Sequence, residues 1–579
     1  MSEHDPRDLV VIALSGVQRY ITESRTTADA ANASDIMARL AAEAATQLKD
    51  DGAELVIPSK VDPATAPNRI VALAAKEQGS ILTRKAADKA RSHWRAWIAE
   101  LFGKARDVPG FPEIMWSVAP ADVGSYAEQW KAAQVTLAAR KRLRAFDYPE
   151  RTGTRPCSVS PYWPSEKSAP ENTPEHDRNS ELSAAVWLKR RWHDTDELPS
   201  THRKKFPSTA SIASTPFRAH VLDSWADSET HDLVTELSDA ARQVMGPDRF
   251  KVLEGSVPSL DRAGQDTLKR WFVCGAGWWV TPDTWNTDTL SHEYGPPSEP
   301  VDPVAVQRGR DAAKRLAKIV GFAPNPYYAV LSADLDGLGT YLSSSPVTAE
   351  RHQLISRRLG DLSRLHHRRV QEDHAGVSVY SGGDDLLAFL PASTALEAAQ
   401  ACREAVDEDP TTLSCSVLFA HQGTPLHTVI ARSRELLAEA KEVPNKNAVA
   451  VGYITGSGSR AHTVRPWRSD WVSDALGTLR TFKPRQGSSP SAAEDDGLSP
   501  RLINDLYSER AALSDLATRS AYERIYEAEV TRLVLRHGGD ERQARSLLDL
   551  GRSEHAKTTD APVPLAASRV AVFLRRQTW

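Results

Sequence analysis

Two pairs of aspartates stand at the ends of predicted strands in the second half of the chain. Asp334 and Asp336 close the apolar run that begins YYAVLSA, and Asp384 and Asp385 lie between the runs VSVY and LLAFL. The elements around them follow the order β-α-β-β-α-β, in which the first strand lies beside the hairpin at the centre of the sheet. The sequence therefore predicts that Asp334 lies near Asp384 and Asp385.

These carboxylates predict a divalent-metal site. Negative charges that share one sheet edge repel each other unless cations neutralise them, and carboxylate oxygens are hard ligands that suit Mg²⁺ or Mn²⁺. Two such ions about 4 Å apart serve phosphoryl transfer, because one activates the attacking hydroxyl and the other stabilises the leaving pyrophosphate. We therefore expect Asp334, Asp384 and Asp385 to be catalytic metal ligands. Asp336 is either a further ligand or a solvent-facing residue beside Gly337.

The hairpin turn carries glycines directly before its aspartates. Gly382 and Gly383 suit a tight turn that needs positive φ, and they leave room for a nucleotide to approach the backbone. With Ser381, they are the predicted nucleotide-binding part of the turn. An ordinary exposed turn has a similar composition, and the predicted nearness of Asp334 is what favours the functional interpretation. Lys441 ends a later helix, where it either meets a triphosphate or completes a helix C-terminus.

The predicted elements that surround these residues give an α+β fold with four domains. Residues 1–150 open with a strand and an alanine-rich helix, and 151–322 read as mainly helical with long connections. Residues 323–465 carry the β-α-β-β-α-β pattern, followed by one more helix and strand. Residues 466–579 contain a Ser-, Pro- and acid-rich linker at 485–499 and then a helical bundle.

Bulk properties exclude several classes of protein. The 579 residues carry a formal net charge of -4, which gives no basic balance of the kind typical of nucleic-acid binders. Contacts with RNA would therefore come from local patches or through partner subunits. The 4 cysteines form no CxxC pair, so we expect no disulfide framework and a reducing compartment. No apolar stretch approaches the roughly 18 residues of a membrane span, which predicts a cytoplasmic protein.

Several segments carry a resemblance to a known family. In the second half they are NPYYAVLSADLDGLG, VYSGGDDLLAFLP, LFAHQGTPL and AKEVPNKNAVAV, and in the first half SGVQRYITESR, TAPNRIVAL, ELSAAVWLKRRW and FPSTASIA. Together they resemble the large subunit of type III CRISPR effectors, the Cas-ten family, in its Cmr-type (III-B) form. The resemblance covers almost the whole chain, with its motifs in the same order.

The resemblance implies two ferredoxin-like palm or nucleotide-cyclase domains, a helical middle domain and a C-terminal helical bundle. It implies that the GGDD palm joins ATP into cyclic oligoadenylate when guide RNA in a multi-subunit complex pairs with target RNA. Asp334, Asp384 and Asp385 would then hold two Mg²⁺ or Mn²⁺ ions, and Lys441 would contact phosphates. The first palm, which lacks a GGDD motif, would bind or support nucleotide without catalysing.

Two departures from the family pattern limit what is carried over. The opening palm motif begins near Leu9, so we expect no HD nuclease domain and no DNA cleavage by this chain. Some relatives bind zinc through four cysteines of the middle domain, whereas only Cys157 and Cys274 lie there in this sequence. Zinc is therefore not expected.

Two other functions remain as alternatives. A diguanylate cyclase shares the fold and a Gly-Gly-acid-acid hairpin, but it would carry Glu-Phe where this chain has Asp385-Leu386. A non-catalytic scaffold with a silent palm is the alternative from a different class. The intact set of Asp334, Asp384 and Asp385 argues against it, since a silent palm has no need for clustered carboxylates.

Overall fold

The computed structural model describes residues 6–63, 65–143, 155–174, 177–195, 205–261, 266–294, 301–407, 410–468, 501–552 and 563–577. Its segments form two compact units that alternate along the sequence. The first unit comprises Met1–Phe206, Gly337–His367 and Val379–Leu386, and the second comprises Pro207–Asp336, Arg368–Ser378 and Leu387–Trp579. Among the residues described, no helix is long and apolar enough to cross a membrane.

The strands are numbered along the chain. They are β1 (Asp8–Ser15), β2 (Glu54–Ile57), β3 (Arg69–Ala74), β4 (Glu113–Ala119), β5 (Tyr327–Asp336), β6 (Val377–Gly382), β7 (Asp385–Pro391), β8 (Thr412–His421), β9 (Ala448–Ile454) and β10 (Arg460–Pro466).

The α-helices are numbered in the same way. The first part of the chain contributes α1 (Val17–Thr22), α2 (Thr27–Asp50), α3 (Gly79–Phe102), α4 (Tyr126–Arg142), α5 (Ala184–Arg190), α6 (Thr209–Ala213), α7 (Thr215–Asp223), α8 (Ser228–Met245), α9 (Pro247–Phe250), α10 (Thr267–Cys274), α11 (Thr287–Tyr294) and α12 (Pro303–Val320). The rest contributes α13 (Leu338–Ser343), α14 (Ala349–Arg368), α15 (Ala395–Glu404), α16 (Leu426–Lys441), α17 (Leu502–Ser508), α18 (Arg510–Ala517), α19 (Glu523–Arg536), α20 (Glu541–Arg552) and α21 (Leu565–Gln577).

A four-stranded antiparallel sheet forms the core of the first unit, in the order β2-β3-β1-β4. This order, with α1 and α2 before β2 and α3 before β4, is the ferredoxin-like arrangement. Strand β1 is apolar and buried from Leu9 to Leu14, because helices cover both faces of the sheet. On one face Leu9, Val11 and Ala13 join a hydrophobic cluster with Trp130 of α4 and Ile355 of α14.

A buried histidine fixes α14 against this sheet. His352 is 0% exposed, and its Nδ1 lies 2.8 Å from the Tyr126 hydroxyl while its Nε2 lies 2.8 Å from the Leu342 carbonyl. Burial lowers the pKa of His352, which favours the neutral ring. A neutral ring donates from Nε2 to the carbonyl and accepts at Nδ1 from the hydroxyl, so both nitrogens are satisfied.

A six-stranded sheet in the order β10-β9-β8-β5-β7-β6 forms the core of the second palm. Strands β5 and β8 pair antiparallel from Tyr327 opposite His421 to Asp336 opposite Thr412, and β8 and β9 pair parallel. The inner order β8-β5-β7-β6 repeats the order β4-β1-β3-β2 of the first sheet. The predicted α+β fold with two ferredoxin-like sheets is therefore confirmed.

Helical regions complete the second unit. Helices α7, α8, α10 and α12 share a hydrophobic core rich in tryptophan, which includes Trp271, Trp279 and Trp285. Helix α21 packs on the second sheet, where Phe573 stacks on Tyr453 with 4.4 Å between ring centroids. The predicted linker 485–499 lies outside the described residues, and the division into four domains stays a prediction.

Candidate active site

A glycine ends the strand that carries the first pair of aspartates. Gly337 follows Asp336 with φ 73°, in the left-handed region that favours glycine, and α13 begins at the next residue. Alternation along β5 places Asp334 and Asp336 on the same face of the strand. Their surroundings nevertheless differ.

Asp334 forms an ion pair with Lys441. Their side chains are 31% and 26% exposed, and Lys441 is the last residue of α16. Lys441 therefore both ends a helix and directs its ammonium group at a predicted metal ligand. It stabilises the carboxylate as a point charge, and its contact with a triphosphate stays a prediction.

Asp336 is buried, so the solvent-facing alternative is wrong. It is 6% exposed and accepts hydrogen bonds from the Thr412 hydroxyl (2.9 Å), the Ser414 hydroxyl (2.9 Å) and the Asn447 backbone N–H (3.0 Å). These bonds tie β5 to β8 and to the loop after α16. Sequence analysis did not identify the three donors, because they depend on strand register.

The loop after α16 has an unusual backbone. Asn445, Lys446 and Asn447 have φ of 65°, 56° and 50°. Non-glycine residues in this region carry strain unless the surroundings hold them there. The bond to Asp336 and a 2.6 Å bond from Arg403 Nε to Asn447 Oδ1 supply that support. Asp336 thus acts on the conformation of the segment that follows Lys441.

The GGDD hairpin joins β6, which ends at Gly382, to β7, which begins at Asp385. Gly383 has φ 72°, so the turn uses the conformation that only glycine adopts readily. A Cβ placed on Gly382 or Gly383 would meet no atom within 4 Å, and the space beside the turn is therefore open. Asp384 is exposed and Asp385 is half-buried.

Ser381 anchors the hairpin to α14. Its hydroxyl donates to the Ser363 carbonyl at 2.9 Å, and the Ser363 hydroxyl donates to the Ser381 carbonyl. This reciprocal pair of hydrogen bonds holds the hairpin against α14 within the first unit. A role of Ser381 toward nucleotide stays a prediction.

A cleft of the first unit opens at the hairpin. Its lining includes Gln18, Asn68, Ser381, Asp384 and Asp385. Gln18 Nε2 donates to Asp385 Oδ2 at 2.7 Å. The contact joins residues that are 367 positions apart, and no pattern around the GGDD motif predicts it.

Arg69 of β3 interacts with the other aspartate of the hairpin. Burial lowers the pKa of its guanidinium, and the negative charge of Asp384 opposes that shift. The two groups therefore lie within electrostatic reach of each other. Arg69 belongs to the segment TAPNRIVAL, which carried the resemblance but was not assigned a role.

The predicted site residues fall into two groups. Asp334, Asp336 and Lys441 belong to the second unit, whereas Asp384 and Asp385 belong to the first with the rest of the turn. Among the described residues, no group of three or more His, Cys, Asp or Glu is arranged to hold a metal ion. The nearness of Asp334 to the hairpin aspartates therefore stays a prediction.

Comparison with known proteins identifies the second palm. Residues 327–450 match the family model of the Cas10/Cmr2 second palm domain. The CRISPR system Cmr subunit Cmr2 of Pyrococcus furiosus is 29% identical over 200 residues, which cover 29% of this chain and 23% of that protein. The match thus spans about a quarter of that relative's length.

Solved structures of similar fold extend the comparison to nearly the whole chain. The type III-B Cmr-beta complex in the apo state contains a chain with a TM-score of 0.57 and 14% identity, and the match covers 99% of this chain and 82% of that one. The type III-B Cmr-beta complex bound to cognate target RNA gives a TM-score of 0.63 and 14% identity, with 98% and 83% covered. The resemblance to the Cmr-type large subunit is confirmed, and at this identity the solved structures show the fold alone.

Proposed function

We propose that this chain converts ATP into cyclic oligoadenylate as the large subunit of a type III CRISPR effector complex, since residues 327–450 match the Cas10/Cmr2 second palm domain. The observation that carries the proposal is the GGDD hairpin. Its aspartates line a cleft, and its glycines leave open space beside the backbone.

We assign two divalent ions, Mg²⁺ or Mn²⁺, to Asp334, Asp384 and Asp385. The donors are carboxylate oxygens with partial exposure, which suits hard cations that keep some of their water. When bound, the ions would activate the attacking hydroxyl and offset the charge that develops on pyrophosphate. Asp336 is less suited as a ligand, because three donors already occupy its oxygens. Its proposed role is to hold β5 and the loop after Lys441.

The chain's own residues would bind and orient the nucleotides. A 3′-hydroxyl oxygen bonds to the α-phosphorus of a second ATP, the bond from that phosphorus to pyrophosphate breaks, and the hydroxyl proton passes to solvent. Lys441 would contact the triphosphate, a role supported by its position as the cation beside Asp334. Gly382 and Gly383 would let the nucleotide approach the turn, because no side chain blocks it.

The proposed partners are the other subunits of the complex, with guide RNA and target RNA reached through them. The formal net charge of -4 supports RNA contacts that run through partners rather than over a basic surface of this chain. Activation by target RNA is part of the same proposal. It is motivated by the similarity in fold to a Cmr-beta complex bound to cognate target RNA.

The test is product formation by the assembled complex. The complex, with and without guide and target RNA, is incubated with labelled ATP and Mg²⁺ or Mn²⁺, and the products are resolved by mass. The decisive variant combines Asp384→Ala with Asp385→Ala. The matched control is Asp88→Ala, which removes an exposed aspartate of α3 whose side chain is 61% accessible.

Each outcome selects one function. Cyclic oligoadenylate from the native complex and the control, but not from the double variant, supports the proposal. No product from an intact, target-bound complex would favour the scaffold. Cyclic di-guanylate from GTP would favour a diguanylate cyclase.

A further inference from the structure

We propose that Gln18, on the first palm, is a positioning residue for Asp385 of the GGDD hairpin. The inference rests on the proposed function, because Asp385 acts as a catalytic ligand only there. Gln18 Nε2 donates to Asp385 Oδ2 at 2.7 Å, and the Tyr380 hydroxyl lies 3.5 Å from Gln18 Oε1. The first palm thereby contributes a side chain to the site of the second.

An amide suits this role because it is neutral. Hydrogen bonds from a neutral donor orient a carboxylate ligand without bringing a charge that competes with a divalent cation. The bond is charge-assisted, so it is stronger than one between two neutral groups. Asp334 differs, since its partner Lys441 carries a positive charge.

Gln18 stands on a short helix whose far end is fixed. Helix α1 runs from Val17 to Thr22, and the buried ammonium of Lys189 donates to the Tyr20 carbonyl at 3.0 Å and to the Glu23 carbonyl. A cation at the C-terminal carbonyls of a helix is stabilising. Lys189 of the segment ELSAAVWLKRRW therefore holds the segment SGVQRYITESR in place.

The neighbouring residue of α5 fixes the helix that follows. Arg190 donates to both carboxylate oxygens of Asp29 at 2.8 and 2.9 Å, and Asp29 is 1% exposed and caps the start of α2. The pKa of Asp29 stays lowered because these charge contacts outweigh the effect of its burial. These contacts hold α1 and α2 in place. Gln18 therefore lies on a rigid part of the first palm, as a precise positioning contact requires.

Arg69 supports the same inference from another strand. It stands at the start of β3 within electrostatic reach of Asp384, while Gln18 contacts Asp385. The first palm therefore places one amide, from α1, and one cation, from β3, near the two hairpin aspartates. The first palm, which lacks a GGDD motif, would in this way order the hairpin aspartates of the second.

The test compares Gln18→Met with Gln47→Met in the reconstituted complex. Gln47 is a matched control, since its Nε2 also donates to an aspartate, Asp51, at 2.8 Å, but it lies near the end of α2 away from the cleft. The first readout is hydrogen–deuterium exchange over residues 377–391, measured without metal or nucleotide. Gln18→Met should raise the exchange rate there about tenfold, and Gln47→Met should not.

The second readout is the Mn²⁺ concentration that half-saturates product formation. Gln18→Met should raise it about 10- to 100-fold, with the KM for ATP nearly unchanged, since the residue acts through the carboxylate. In an Asp385→Ala background, Gln18→Met should add nothing to the exchange rate. Agreement with these three expectations would establish the coupling of the two side chains.

The inference is overturned if Gln18→Met leaves exchange over 377–391 unchanged, or raises it equally in the strands of the first sheet. It is also overturned if product forms with an unaltered Mn²⁺ requirement. If no variant and no native complex makes product, the proposed function fails instead. The exchange comparison then decides by itself whether Gln18 orders the hairpin.

Discussion

The first and second palms share a strand–glycine–helix segment that differs in its chemistry. Strand β1 is followed by Gly16 with φ 77° and a six-residue helix, and β5 is followed by Gly337 with φ 73° and a helix of the same length. Four residues after each glycine stands a tyrosine, Tyr20 in the first palm and Tyr341 in the second. The strand, the left-handed glycine and the short helix thus follow one another in the same way in both palms.

The short helices also end in the same way. In each palm a basic side chain donates to the carbonyls four and seven residues after the glycine, from Lys189 in the first palm and Arg351 in the second. Each cation also lies over the ring of the tyrosine, 4.8 Å and 4.7 Å from its centroid. The cation is buried in the first palm and half-buried in the second.

The difference lies in the residues just before each glycine. Three positions and one position before it, the first palm has Ala13 and Ser15, and the second has Asp334 and Asp336. The proposed catalysis therefore depends on a few side chains on a shared scaffold. The first palm has kept the scaffold and offers Gln18 instead, two residues after its glycine.

The largest expected effect comes from Asp334 of the second palm. Asp334→Asn should lower product formation by about 10³-fold, or about 4 kcal/mol, because a neutral amide binds a divalent ion poorly. Ser15→Ala, at the end of the corresponding strand, should leave the rate within about twofold. Rates of cyclic product formation by the complex measure both. An Asp334→Asn rate above one-tenth of native, an allowance of about 1.4 kcal/mol, would contradict the assignment.

Placing a carboxylate at Ala13 of the first palm should lower the stability of the chain. Ala13 is 2% exposed and faces the hydrophobic cluster of the first sheet, so Ala13→Asp should lower the free energy of unfolding by about 3 kcal/mol. Ala105→Asp, at an exposed position, should change it by less than about 0.5 kcal/mol. Urea unfolding of the full chain gives the comparison. Equal effects would mean that the first sheet tolerates charge.

The buried aspartate of the second palm should matter for folding more than its counterpart. Asp336→Leu leaves the hydroxyl and N–H donors around it without an acceptor, so it should cost about 2 kcal/mol. Ser15→Ala should cost less than about 0.5 kcal/mol. Thermal melting checks this, and Asp336→Asn should restore part of the loss.

Removal of the basic side chain should cost more stability in the first palm than in the second, because Lys189 is buried and Arg351 is half-buried. Lys189→Met should destabilise the chain by about 1.5 kcal/mol, because buried carbonyls lose their donor. Arg351→Met should cost about 0.5 kcal/mol, since water replaces the guanidinium. Chemical unfolding at neutral pH measures both, and a larger effect for Arg351→Met would reverse the comparison.

A pH dependence gives a further comparison of the two basic side chains. Burial lowers the pKa of Lys189 to about 8 from 10.5, so the unfolded chain binds the proton more tightly than the folded chain between these values. Stability rises with pH wherever the unfolded state holds more protons, by at most about 1.4 kcal/mol per pH unit for one group. The free energy of unfolding should therefore gain from Lys189 as pH rises from 8 toward 10.5. Lys189→Met should remove that gain, and Arg351→Met should not.

Local patterns in the sequence were sufficient for much of the fold and for the hairpin. Alternation and glycine placement predicted β5, the turn at Gly383 and the helix that ends at Lys441, because these features depend on neighbouring residues. The contact of Gln18 with Asp385 depends on packing between distant segments, so no local pattern contains it. The burial of Asp336 likewise depends on the register of β5 against β8.

The shared backbone of the two strand–glycine–helix segments could also not be predicted from the sequence alone. The segments that end ALSG and DLDG share few residues, and the shared feature is a backbone angle and a pair of capped carbonyls. Lys189 and Arg351 reach equivalent carbonyls from unrelated places in the chain. Physical roles were kept while residue types changed.

The discontinuous first unit has a consequence for how the protein is made. Its sheet is complete by residue 119, yet part of the hydrophobic cover of that sheet comes from Leu342, Ala349 and Ile355. A ribosome would have to synthesise over 200 further residues before this apolar face is covered. Until then the nascent chain presents a surface that favours aggregation. Fragments that end near residue 206 should therefore be poorly behaved when expressed alone, and chaperones should engage the chain during its synthesis.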